Sequence, residues 1–172
     1  MRKAPYIGVV LVLVTIVVAC AGGVDGTRVF FIDGYVSDLG MRGRLVARER
    51  PLDDPGLGRV VAEVLRGPTA TEQEERGLIT GFAPGVRVST VALVGGTARV
   101  NLSSETPPRR WPDGFYATAQ LVYTLTELAG VKRVVLSVNG KRCCVYDMEQ
   151  RPWTKPLTRE LFAGWQDAPR KP

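Results

Sequence analysis

A chain of 172 residues with three cysteines and no histidine has a short list of chemistries open to it. Without histidine it lacks the commonest general base near neutral pH and the commonest transition-metal ligand. A Ser-His-Asp triad is impossible, and neither Ser-x-x-Lys nor Gly-x-Ser-x-Gly occurs. Carboxylates that could pair for acid-base work, Asp33, Asp38, Asp53, Asp54, Glu105 and Asp113, stand in or near loops, but no spacing singles out two of them. Glu72, Glu74 and Glu75 lack the alternating ligands and glycine turn of a calcium loop, so a solvated helix face is expected there. No catalytic residue, cofactor or metal site is therefore expected. Cys143 and Cys144 are neighbours and point to opposite faces if they lie in a strand. Two reduced thiols, one buried and one more exposed, is the preferred reading; a strained vicinal disulfide or an intermolecular pair are the others.

The third cysteine carries the strongest chemical signal. Arg2 and Lys3 precede the apolar run YIGVVLVLVTIVVAC, Tyr6 to Cys20, and small residues flank its end. That is the layout of a secretory signal peptide, 1–19, too short for a typical spanning helix of ~20 residues. Val17-Val18-Ala19-Cys20 resembles a bacterial lipobox, in which cleavage falls before the cysteine and its sulfur takes a diacylglycerol, although Val17 replaces the usual leucine. Cys20 is thus the expected lipidation site, with an ordinary secreted protein and an uncleaved signal anchor as alternatives. The predicted location is extracytoplasmic, on the outer face of the cell membrane, with the membrane as partner through the lipid. Residues 20–27 form a short glycine-rich tether with a reach of roughly 20 Å.

Removing 19 of the 172 residues leaves 153, enough for one domain with its own core. The formal net charge is +6, of which Arg2 and Lys3 contribute two, and the rest is spread along the chain. A solvated surface explains it; weak attraction to anionic headgroups or wall polymers is the sharper alternative. Nucleic acid is excluded as a partner by export and by the lack of a basic stripe interleaved with aromatics.

The elements follow from pattern. Arg28 to Asp33 is a strand rich in β-branched and aromatic residues, and Leu45 to Pro51 a second. Asp54 is the expected N-cap and Pro55 the first residue of a helix with apolar Leu57, Val60, Val61, Val64 and Leu65, stopped by Gly67-Pro68. Thr69 to Arg76 reads as a surface turn or short helix. Val86 to Val94 and Thr97 to Ser103 flank Gly95-Gly96 as a hairpin, and Ala98, Val100 and Leu102 alternate with Arg99, Asn101 and Ser103. A loop, Glu105 to Gly114, leads to a second helix, Phe115 to Ala129, with a stripe of Leu121, Val122, Leu125 and Leu128. Asn139-Gly140 marks a type I′ hairpin between Val131–Val138 and Arg142–Asp147. The tail, 148–172, holds Trp153, Phe162 and Trp165 and is expected to pack back on the domain. These elements predict an α+β two-layer sandwich: one mostly antiparallel or mixed sheet with two amphipathic helices on one face.

Two blocks resemble a known family. VVAEVLRGPTATEQEERGLITGFAPGVRVSTVALVGGTARVNLSSE, 60–105, and AQLVYTLTELAGVKRVVLSVNGK, 119–141, are similar to the GerMN domain, named for a spore germination and sporulation lipoprotein. The resemblance covers roughly 28–147. It implies a fold like the ring-building modules of envelope secretion machines and a role as an interaction module, connected with sporulation or germination. The expected function is a non-catalytic cell-envelope lipoprotein that binds another envelope protein or itself. Arg109, Arg110 and Trp111 form the candidate interaction loop, since Arg and Trp are favoured interface anchors. The alternative is a wall-polymer or glycan-binding module using Trp111, Trp153 and Trp165 for stacking.

Overall fold

The computed structural model describes residues 26–34, 44–53, 55–105, 114–143 and 153–163. Seven strands and three α-helices that lie within the described residues make an α+β domain. β1 (Thr27–Asp33) lies between β2 (Leu45–Arg50) and β3 (Leu78–Ile79), both antiparallel to it. β4 (Arg87–Val94), β5 (Thr97–Ser103), β6 (Arg133–Val138) and β7 (Lys141–Arg142) form a second sheet in that order. The strands are thus divided between two sheets, where the sequence placed them in one. β1 is the reason: its centre, Val29 to Ile32, is buried throughout, so it takes a partner on each edge and cover on both faces.

Helices α1 (Leu57–Arg66) and α3 (Gly114–Leu125) pack on each other and hold the sheets together, α1 against β1 and β4, α3 against β1 and β6. β5 and β6 run parallel because α3 crosses between them, whereas the other ladders are antiparallel. Ala98, Val100 and Leu102 of β5 and Val134, Leu136 and Val138 of β6 are buried against the helices. The expected alternation along β5 is therefore present.

Both hairpins turn as their sequences require. Gly95 and Gly96 have φ of 54° and 73°, Asn139 and Gly140 of 50° and 75°, the paired positive values of a type I′ turn. Two helix expectations need correction, and the turn or short helix expected over Thr69 to Arg76 resolves as a helix. α1 begins at Leu57 with Gly56 at its N-cap: Gly56 is extended, and its carbonyl accepts the amides of Arg59 and Val60. Pro55 thus precedes the helix, and Asp54 lies outside the described residues. Residues 70–76 are a true helix, α2 (Ala70–Arg76), because Thr69 and Glu72 form a reciprocal capping box and Gly77 closes the end in the left-handed conformation. α3 has no single apolar stripe. Ala117 to Leu125 are all buried, since the helix is enclosed by β1, β6, α1 and the C-terminal segment.

Most polar groups inside this enclosure have partners, although the Gln120 side-chain amide nitrogen is buried without one among the described residues. Gln120, fully buried, accepts the Gly81 amide through Oε1 at 3.1 Å and so ties the loop before β4 to α3. Thr124 accepts the Phe30 amide of β1 at 3.0 Å and donates to the Gln120 carbonyl at 2.8 Å. Gly81 also permits a close approach: a Cβ there would stand 2.7 Å from the Ala117 amide nitrogen. The C-terminal segment closes the far side. Leu157 exchanges backbone hydrogen bonds with Val134, and Phe162, in a 3₁₀ turn over Arg159–Phe162, packs edge-on against Phe115. Among the described residues every buried member of the apolar core lies between Val29 and Phe162.

Candidate functional site

The residues singled out by sequence are divided by the fold. Cys20, Arg109, Arg110, Trp111 and Trp165 lie outside the described residues. So do Asp38, Asp54 and Asp113. Asp33 ends β1, Asp53 follows β2 and Glu105 follows β5, on separate elements. Among the described residues no group of three His, Cys, Asp or Glu side chains could hold a metal. Cys143 is disulfide-bonded, which corrects the expectation of two reduced thiols. It sits half-buried just after β7 instead of in a closed apolar pocket, and both other cysteines lie outside the described residues.

Trp153 packs against the core beside Val135, Arg142, Cys143 and Leu157, with its indole Nε1 shut away from solvent. That position, partly buried against the core, suits a packing residue. A cleft of about 370 Å³ lies at one end of the second sheet, lined by Pro84, Gly85, Arg87, Ser103, Ser104, Glu105 and Asn139. Asn139 is already committed there: its side-chain amide donates to the Ser104 carbonyl at 2.7 Å and accepts the Ser104 amide at 3.1 Å. Asn101 likewise receives the Gly140 amide, so the two asparagines pin the β6–β7 turn to the end of β5.

Charge is arranged differently on the two sheets. Around the first, Arg50 is 8% exposed and its guanidinium meets Glu72 in a two-pronged pair, at 2.9 and 2.6 Å, and Glu63 at 3.2 Å. Its cationic carbon stands 5.0 Å above the Phe31 ring. Hydrogen bonding from Arg50 pulls the Glu72 pKa below its ordinary value, helped by the Thr69 amide, and bonding from Glu72 raises that of Arg50. Glu72 therefore belongs to a packed ion cluster, which corrects its assignment to a solvated face; Glu74 and Glu75 remain exposed. A second clamp joins Arg28 and Arg159 to Glu127, below the ring of Tyr123.

The second sheet carries cations without such partners. Across β4 to β7 there are five, Arg87, Arg99, Arg133, Lys141 and Arg142, and no acid. Arg99 alternates with the buried Ala98 and Val100, and Arg133 with the buried Val134, so both stand on the face turned away from the helices. Arg87 is opposite Ser103 and Arg142 opposite Ser137, on that same face. Among the described residues Arg87, Arg99 and Arg133 make no ion pair, and all three are exposed. β4 is also an edge strand, eight residues long without proline, paired only to β5. Sequence reading marked Arg99 as outward-facing but missed the shared face. The parallel register of β5 and β6 creates it, and no local signal encodes that register.

Comparison with known proteins fits this architecture. The first GerMN domain of the sporulation protein GerM from Bacillus subtilis is similar to this chain with a TM-score of 0.59 at 20% identity, over 78% of this chain and 98% of that domain. The tandem GerMN domains of the same protein give a TM-score of 0.55 at 19% identity, over 77% of this chain. This chain spans 45% of that tandem structure. At such identities the likeness concerns the fold. No curated protein matches the chain. The family model Germane, described as sporulation and spore germination, matches residues 28–144, and the chain belongs to that family.

Proposed function

We propose that this chain is a non-catalytic cell-envelope lipoprotein whose GerMN-type domain is a protein-interaction module. The signal peptide is removed before Cys20, and lipid on that cysteine holds the domain at the outer face of the cell membrane. The observation that carries the interaction reading is the cationic face of the second sheet, whose four strands hold no acid, bounded by an edge of β4 that no described strand pairs. Charge of one sign on an exposed face steers and selects a complementary partner, and an open edge can accept a strand from it. The family's link to sporulation and germination supports an envelope protein of that process as partner.

Two experiments test this. Cys20→Ser should abolish lipid labelling and release the protein from membranes; lipidation that persists in the variant sinks the anchor. Crosslinked pull-down of the membrane-held form should recover one envelope protein, and its capture should fall when Arg87 and Arg99 are both changed to Glu. Recovery of wall glycan alone, with direct binding by the purified domain, would replace this reading with the wall-polymer one.

A further inference from the structure

Among the described residues only three large apolar side chains are exposed, Ile79, Leu93 and Val94, and two of them are adjacent. Leu93 and Val94, at 46% and 53% exposure, sit where β4 enters the Gly95-Gly96 turn, so the hairpin ends in an aliphatic tip. Cations surround it. Lys132 and Arg133 donate their backbone amides to the Gly96 carbonyl, and the Lys132 stem lies 3.7 Å from where a Gly96 Cβ would be. The Arg133 guanidinium reaches the Gly95 carbonyl, and Arg99 projects two residues along β5 from Thr97. No acid among the described residues of this tip offsets them: Glu127, the nearest in sequence, is held by Arg28 and Arg159.

Apolar side chains ringed by Lys and Arg are the chemistry that recognises an anionic bilayer interface, where aliphatic groups enter the acyl boundary and cations meet headgroup phosphates. The fold adds a second, independent argument. Arg28, at the start of β1, is paired with Glu127 at 3.1 Å, in the turn that leads through Gly130 to Lys132. A Cβ on Gly130 would be 3.9 Å from Leu93 Cδ2. The N-terminal entry of the domain and the hairpin tip are therefore at the same end of the molecule.

We infer that the β4–β5 tip, Leu93 and Val94 with Lys132, Arg133 and Arg99, docks on an anionic lipid surface. Its occupant is the bilayer itself, and docking fixes the orientation of the domain so that the Arg87 end of β4 points away from the membrane. The inference goes beyond an anchored interaction module and stands without the anchor, because the tip binds lipid with Cys20 removed.

The test uses the chain from Ala21 to Pro172, which retains every core residue found among the described ones, and co-sedimentation with two kinds of vesicle: phosphatidylcholine alone, and phosphatidylcholine mixed with phosphatidylglycerol. Binding is expected to the mixed vesicles only, and to fall with added salt. Lys132→Gln with Arg133→Gln should weaken it about 30-fold, the change given by ~1 kcal/mol for each basic residue near the surface. Leu93→Ser with Val94→Ser should weaken it about tenfold or more through lost apolar burial. All four positions are exposed, and an unchanged thermal melt establishes that the variants fold. Absence of binding to mixed vesicles, equal binding to both kinds, or binding unaffected by either double variant overturns the proposal. Loss of vesicle binding leaves the Cys20 labelling result untouched, so failure of the dock and failure of the anchor are separately visible.

Discussion

Arginine is used in opposite ways on the two sheets. Arg50 is locked between Glu63 and Glu72 above Phe31, and Arg28 and Arg159 share Glu127. Arg87, Arg99 and Arg133, on the open face of the second sheet, are exposed and make no ion pair among the described residues. The same side chain is structural where helices bring carboxylates to it and is presented to the surroundings where the sheet offers none. A cation in a strand therefore has to be read with its neighbours across the sheet before its role is assigned.

The largest difference should appear on truncation. Arg50→Ala takes the shared cation from Glu63 and Glu72, leaving them only Arg66 and Arg48, and is expected to cost about 3 kcal/mol, the low end for a broken buried pair, measured by urea unfolding. Arg99→Ala should stay within about 0.5 kcal/mol of the parent. If Arg50→Ala costs no more than Arg99→Ala, the contrast between the sheets is lost. A smaller effect of the same cluster is set by acid. Because the Glu72 carboxylate titrates below its ordinary value in the folded state, its stabilisation is complete above the unfolded pKa and is lost as pH falls through the folded one. Unfolding midpoints should thus decline from the ordinary carboxylate range downward. Glu72→Gln, which gives up a charged hydrogen bond worth about 1.5–3 kcal/mol, should flatten that acid slope.

What sequence could and could not read follows the same division. The β5 alternation and both type I′ turns were legible because period-two burial and positive φ are local properties of Ala98 to Leu102, Gly95-Gly96 and Asn139-Gly140. The Arg50 cluster was not: Arg50 and Glu72 are 22 residues apart, and their pairing depends on α2 being delivered beside β2. Nor was the division into two sheets, since β1 chooses β2 and β3 as partners through contacts that no local pattern specifies. The candidate site was only partly legible. Cys20 and the Arg109–Trp111 loop are singled out by residue type alone and lie outside the described residues, whereas the cationic face exists only once β5 and β6 are set side by side.

A finer contrast lies within the paired class. The Arg28 side chain is about half exposed, so solvent screens its bond to Glu127; Arg28→Ala is expected to cost about 0–1 kcal/mol, well under Arg50→Ala. Unfolding of Arg28→Ala in low and high salt would place it: a loss that shrinks with salt marks a surface pair, and a salt-independent loss near that of Arg50 would move this clamp into the buried class.

The smallest stability effect is also the most discriminating. Arg99→Glu should leave the unfolding midpoint within about 0.5 kcal/mol, because no described carboxylate or backbone group depends on that guanidinium. A stabilised protein would mean that the open cations repel one another, since reversing one would then relieve the rest; exposed like charges under screening are expected to contribute little. A neutral outcome instead means that the fold bears an acid-free face at negligible cost to itself. The charge would then be free to be set by whatever the face meets, and binding, not folding, would be where its substitution is felt.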